Sequence, residues 1–273
     1  MRKIIIAFDS TNYSDAALRF ASRLNEISAI TLVGAFVPQT DIANLWAYVG
    51  GHNAGSEFIP LVGDDNGEQI KENIKHFENY CIDNGIDYKI HKDYFDFAIP
   101  ELKKETRFAD LLILSSETFY ANMGNEPNEF LGQALHDVEC PILLVPNNFA
   151  FPTCNILTYD GSGSSVYAIK HFAYLLPEFV TNETILVHAT EHVSEPLPEL
   201  LNVEELVARH FPDFNILELG NPKKAFATWL NEKKAGIVVS GSFGRSGLYR
   251  LFHKSFVAET IKKHKIPLFI AHK

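Results

Sequence analysis

Apolar positions along the chain follow two alternating periods. Short runs rich in β-branched residues, such as KIIIAF, AITLVGAFV, DLLILS and PILLVP, have the length and composition of buried strands. Between them, stretches such as SDAALRFASRLNE repeat apolar residues at three- and four-residue spacing, which predicts amphipathic helices. Strands alternating with helices imply right-handed crossovers and a mostly parallel sheet covered on both faces. In such sheets a ligand sits beyond the carboxyl ends of the strands, where the strand order reverses.

The pattern occurs twice. KIIIAFDSTNYSDAALRFASRLNE resembles CNILTYDGSGSSVYAIKHFAYLLP, which begins at Cys154. Each is a strand ending in an aspartate, Asp9 or Asp160, followed by a serine-bearing turn and an amphipathic helix. AITLVGAFV then matches ETILVHAT, FADLLILSS matches KAGIVVSGS, and VECPILLVP matches HKIPLFIAH. The predicted architecture is α/β, with two tandem open parallel-sheet domains of Rossmann-like type. They span residues 1–147 and 153–273 and are joined by the short linker NNFAFPT. Asp9 and Asp160 are 151 positions apart, but Pro141 and Pro267 only 126, so the first half carries about 25 additional residues. The matched segments place them near residues 38–67, within QTDIANLWAYVGGHNAGSEFIPLVGDDNG. A loop this long is either a surface excursion or a lid over a cleft or partner.

Composition narrows the function classes. Over 273 residues, 46% hydrophobic and 21% charged content fits a globular protein with a sizeable core. A net charge of −10 disfavours nucleic acid and anionic membrane surfaces as partners, through like-charge repulsion. No run approaches the roughly 20 apolar residues that cross a bilayer. The start MRKIIIAFD stops at Asp9, short of a signal peptide. Cys81, Cys140 and Cys154 are scattered without CxxC pairing and are expected as reduced thiols of a cytoplasmic protein.

Against this acidic background the segment SGSFGRSGLYRLFHKS, residues 240–255, stands out. It carries three glycines at three-residue spacing and gathers Arg245, Arg250, His253 and Lys254 without an acid. It follows the apolar run GIVV, so the predicted topology brings it to the same rim as Asp160. Three nearby motif matches fail. HATEH has zinc-protease spacing, which needs both histidines on one helical face, yet it continues the strand ETILV. GSGSSV lacks the third glycine of a dinucleotide fingerprint, and HKS lacks the spacing of a P-loop.

The surviving set is Asp160, the strand end at His188 and Ala189, Gly241, Gly244 and Ser255. With the doubled strand order, it resembles the universal stress protein family in its tandem two-domain form, over nearly the whole chain. Nucleotide-binding members carry G-x-x-G, nine residues, then G-[ST]. Here Gly241 and Gly244 match the first pair, nine residues (Arg245 to His253) follow, Lys254 replaces the next glycine, and Ser255 fills the last position. The resemblance implies a nucleotide site made of Asp160, Ala189, Gly241, Ser242, Gly244, Arg245, Lys254 and Ser255. Asp160 would meet the adenosine end and the Ala189 backbone the adenine edge, with ATP or a related adenine nucleotide as ligand and magnesium accompanying ATP. Glycines let backbone amides approach phosphate oxygens, and the helix start near Ser255 would present its free amides to the same anion. Asp160 and Ser255 also read as helix N-caps, and the glycines as turn residues.

Lys254 leaves the site open to two outcomes. A non-glycine at positive φ costs about 1–2 kcal/mol. An ammonium about 4 Å from a phosphate gains about 1–4 kcal/mol, depending on screening. The first half lacks the cradle altogether. Ser116 and Phe119 replace the paired glycines, and Glu117, Glu126 and Glu129 would repel a triphosphate. The expectation is one nucleotide per chain, in the C-terminal half, as a regulatory ligand of a cytoplasmic stress protein. No catalytic constellation accompanies it, and weak ATP hydrolysis would follow by family analogy alone. The alternative is a nucleotide-free scaffold acting in the stress response through protein contacts. By resemblance, the apolar final strands would pair the halves as an internal pseudo-dimer and leave a homodimer open.

Overall fold

A computed structural model of the chain describes residues 1–9, 13–37, 64–91, 98–116, 138–190, 196–220, 226, 228–230, 233, 235–241 and 266–271. The first half runs β1 (Arg2–Asp9), α1 (Asp15–Ile27), β2 (Ile30–Val37), α2 (Asp64–Asp83), β3 (Asp87–His91), α3 (Ala98–Thr106), β4 (Leu111–Ser115) and β5 (Ile142–Val145). The second runs β6 (Cys154–Tyr159), α4 (Gly163–Leu175), a 3-10 turn (Pro177–Phe179), β7 (Glu183–Thr190), α5 (Leu200–His210), β8 (Phe214–Gly220), β9 (Gly236–Gly241) and β10 (Leu268–Ala271). The α/β alternation read from the sequence is thus present. The 38–63 part of the long first-half segment lies outside the described residues, while its end begins α2.

All the strands among the described residues join one ten-stranded sheet in the order β3-β2-β1-β4-β5-β10-β9-β6-β7-β8. Read outward from the middle, both sides repeat one order, with the sixth strand taking the place of the first. Every described pairing is parallel except the central one. There β5 and β10 run antiparallel, with Phe269 opposite Leu143. The same hydrogen bond braces each central strand: Leu112 N–H donates to Pro141 O and Val238 N–H to Pro267 O, both at 2.9 Å. β4, β5, β9 and β10 are buried along their whole length, which explains why they read as continuous apolar runs rather than as alternation.

Strand alternation feeds two cores. Ile4, Ile6 and Phe8 belong to the core that also holds residues of α1, α2, α4 and α5, whereas Ile5, Val33 and Leu112 belong to a second core with Leu102 of α3, Phe226 and Leu230. The first core crosses the centre of the sheet without a break. Phe20 of α1 meets Phe149 and Phe151 of the connecting segment at 5.5 and 5.3 Å, and Phe151 meets Phe179 at 5.4 Å. Phe172 continues the chain from Phe179 to Phe269 on β10. Cations hold the connector down: Arg19 donates to Asn147 O at 2.6 Å and lies over Phe149, and Arg23 lies over Phe151. A mostly buried ion pair also bridges the halves, Arg2 to Glu178 at 2.7 Å, with Arg2 donating further to Leu175 O.

Among the described residues no helix is long and apolar enough to cross a membrane. The three cysteines are free and buried. Burial pushes the Cys81 thiol up to about 12, and burial followed by the Asp110 charge pushes Cys140 up to about 12. Burial raises Cys154 as well, with Glu183 adding to it. Thiolates are the reactive form, so native protein at about pH 8 should give no fast reaction with an aromatic disulfide reagent. Denatured protein should give all three equivalents; a rapid native equivalent would contradict the burial. Phe20→Ala should lower stability by about 3–5 kcal/mol, read as a shift of the urea midpoint by circular dichroism. A shift below about 1 kcal/mol would show that the aromatic chain does not tie the halves.

Candidate functional site

The strand order reverses at two places, β1/β4 and β6/β9. From β6 the chain passes through α4 to β7 on one side, and it later returns through Phe226 and Leu230 on the opposite face to lay β9 on the other side. A crevice beyond the carboxyl ends of β6 and β9 follows from that crossing.

At this crevice the chain leaves β6 through Asp160, which is exposed. Asp160 Oδ1 accepts from Ser162 N–H at 3.0 Å, closing the turn. Gly161 has φ +80°, and a Cβ there would lie 2.7 Å from Pro198 Cβ, so both the dihedral and the space require glycine. Ser162 caps α4, accepting from Ser165 N–H at 3.1 Å, while the Ser165 hydroxyl returns a bond to Ser162 O at 2.8 Å. Gly163 and Ser164 N–H have no partner among the described residues. A Cβ on Gly163 would meet nothing within 4 Å, so the start of the helix borders open space. No acid occupies the first turn of α4.

Gly241 closes β9 against that same turn. A Cβ on it would fall 2.3 Å from Ser164 C, 2.4 Å from Ser164 O and 2.5 Å from Ser165 N, all backbone atoms. Only a residue without a side chain lets the strand end and the helix start approach this closely. Ser240, just before it, is buried and points its hydroxyl to Gly241 O at 3.3 Å. β6 and β7 pair in register up to Tyr159 and His188, so Ala189, the next-to-last residue of β7, lies one step further on, beside the level of Asp160. The structure therefore brings together Asp160, the Ala189 backbone and Gly241 from the set read in the sequence. Ser242, Gly244, Arg245, Lys254 and Ser255 lie outside the described residues.

The sequence places His188 at this strand end but gives its side chain no role. It is buried within the strand, and its Nδ1 lies 3.0 Å from Tyr159 O. The first three residues of HATEH, His188 to Thr190, belong to β7 rather than to a helix, and Glu191 and His192 lie outside the described residues. Among the described residues no group of three or more His, Cys, Asp or Glu side chains is arranged to hold a metal ion. The β6 side of the crevice has an acidic character. Burial, then the charges of Glu199 and Asp160, raise the pKa of Tyr159, whose hydroxyl donates to Pro198 O at 3.0 Å.

The corresponding rim of the first half is filled differently. Tyr13 lies flat on Phe8, with centroids 4.7 Å apart and planes 3° from parallel, and Phe8 stacks on Phe36 at 5.0 Å. Asp15 occupies the first turn of α1 and lies 3.0 Å from His76. Burial, followed by the Asp15 charge, raises the Tyr13 phenol well above its ordinary value. The start of α1 thus carries its own anion, and rings occupy the strand ends. Residues 117–137, where Phe119, Glu117, Glu126 and Glu129 fall, lie outside the described residues.

No protein-family model matches the chain, and no curated protein matches its sequence. Solved structures do. A universal stress protein from Archaeoglobus fulgidus DSM 4304 superposes with a TM-score of 0.73 at 14% identity, covering 100% of this chain and 96% of that one. A protein assigned to the same group from Pseudomonas aeruginosa UCBPP-PA14 gives 0.57 at 12% identity, covering 100% and 93%. A protein of unknown function from Pseudomonas aeruginosa PAO1 gives 0.58 at 12% identity, covering 100% and 92%. The chain has the α/β fold of the universal stress proteins over its full length.

Proposed function

We propose that the chain is a tandem universal stress protein whose C-terminal half binds ATP or a related adenine nucleotide as a regulatory ligand. The observation that carries this reading is the contact at Gly241. It sets the end of β9 directly on the first turn of α4, at the reversal point of the strand order. Backbone amides from two elements then converge with no side chain between them, which suits a phosphate chain. The acid-free first turn of α4 favours an anion, whereas Asp15 on α1 opposes one. Asp160, exposed beside this turn, offers a carboxylate to ribose hydroxyls. In this reading Ser242, Gly244, Arg245, Lys254 and Ser255 hold the phosphates and any accompanying magnesium, with the Lys254 ammonium offsetting its missing glycine.

The reading extends to organisation. Residues 1–147 and 153–273 act as two domains locked as an internal pseudo-dimer through β5 and β10. A cytoplasmic stress-response role goes with the fold, and a homodimer can form by a separate surface.

Calorimetric titration of purified protein with ATP, with and without magnesium, should give one site per chain. Gly244→Trp, checked for folding by circular dichroism, should weaken it at least about tenfold. No saturable binding by wild-type protein up to millimolar ATP would leave the nucleotide-free scaffold in its place. Gly241→Ala should itself cost about 1–3 kcal/mol of stability, because backbone of α4 must move to admit the methyl group. A thermally neutral Gly241→Ala would show that the strand end and helix are not in close contact.

A further inference from the structure

His188 is more than nine-tenths buried, at 6% exposure, and sits on β7 opposite Tyr159, the last paired residue of β6. Its Nδ1 lies 3.0 Å from Tyr159 O. A carbonyl oxygen only accepts, so Nδ1 must carry the proton. That contact fixes the tautomer of the neutral ring and leaves Nε2 as a bare acceptor. Nε2 has no hydrogen-bond partner among the described residues. The bond to Tyr159 O also fixes position: the ring lies against the peptide that leads into Asp160, at the mouth of the β6/β9 crevice.

The other polar groups on this side accept as well. Asp160 is an exposed carboxylate one residue on, and Glu218, also exposed, is the register partner of His188 on β8. Residues level with one another in adjacent strands project to the same face, so Glu218 shares that face. Glu199 adds negative charge near Tyr159. The crevice is therefore polarised. The start of α4 offers backbone donors and no acid, and the β6 and β7 side gathers the side-chain acceptors of His188, Asp160 and Glu218. A ligand that fits both has an anionic tail and a head that donates hydrogen bonds.

Resting on the nucleotide reading above, we infer that His188 is a specificity-determining residue, which accepts a hydrogen bond at Nε2 from the exocyclic amino group of the base. A 6-amino purine supplies that donor. A 6-oxo purine presents an acceptor to an acceptor, which is the arrangement that discriminates most strongly.

The test compares ATP with ITP by calorimetry in three proteins. Wild type should prefer ATP by about tenfold or more. His188→Asn keeps a donor near the Nδ1 position for Tyr159 O but has nothing at the Nε2 position, so the preference should fall to within about twofold. His188→Gln places an amide oxygen near the Nε2 position and should keep most of the preference. A merely structural role would weaken ATP and ITP alike and leave their ratio unchanged. Equal binding of ATP and ITP by wild type, or an undiminished preference in His188→Asn, overturns the assignment. If His188→Asn fails to fold, His188→Leu, which likewise offers no acceptor at the Nε2 position, takes its place: an ATP preference within about twofold counts in favour, and an undiminished preference overturns the assignment. Failure of wild type to bind either nucleotide overturns the nucleotide reading and this inference together, an outcome distinct from binding without discrimination.

Discussion

The antiparallel contact between β5 and β10 governs the rest of the molecule. Each strand closes its own half-sheet, and an apolar closing strand left open would template association with another chain. By pairing with each other, the two strands bury both edges in the middle of one sheet. The apolar chain from Phe20 through Phe151, Phe179 and Phe172 to Phe269 then covers the join on one face. The mostly buried Arg2–Glu178 pair adds a contact that only one relative placement of the halves satisfies.

A shared sheet frees the two reversal points to diverge. Stability comes from the continuous core, so neither rim is needed to hold the halves together. The first rim is closed by its own rings, Tyr13 on Phe8 on Phe36, and its helix start carries Asp15. The second keeps backbone exposed at the start of α4 and leaves acceptors along β6 and β7. The asymmetry lies in side chains at matching positions of a repeated backbone order. The same fold can therefore carry one ligand site and one packed surface.

Much of this was legible in the sequence, for identifiable reasons. Asp9 and Asp160 each end a β-branched strand ahead of a serine turn and an amphipathic helix, so the repeat, the α/β alternation and the position of the rim follow from periodicity alone. The fully buried central strands read as plain apolar runs because both their faces are covered. What the sequence could not show depends on neighbours far apart in the chain. Gly241 reads as a loop glycine until Ser164 is seen 2.3 Å from its absent Cβ. His188 reads as part of a failed metal motif until Tyr159 O fixes its tautomer. Tyr13 gives no sign of lying on Phe8, since stacking depends on how the turn returns to the strand. The connector NNFAFPT reads as a loop, yet its half-buried phenylalanines pack against the core.

Hydrogen exchange followed by mass spectrometry, with and without ATP, addresses the unequal rims most directly, because it reports on both in one protein. The account predicts slowed exchange in residues 160–165 and at the end of β7, with residues 9–16 unchanged. Protection centred on residues 9–16, or equal protection of both rims, would contradict it.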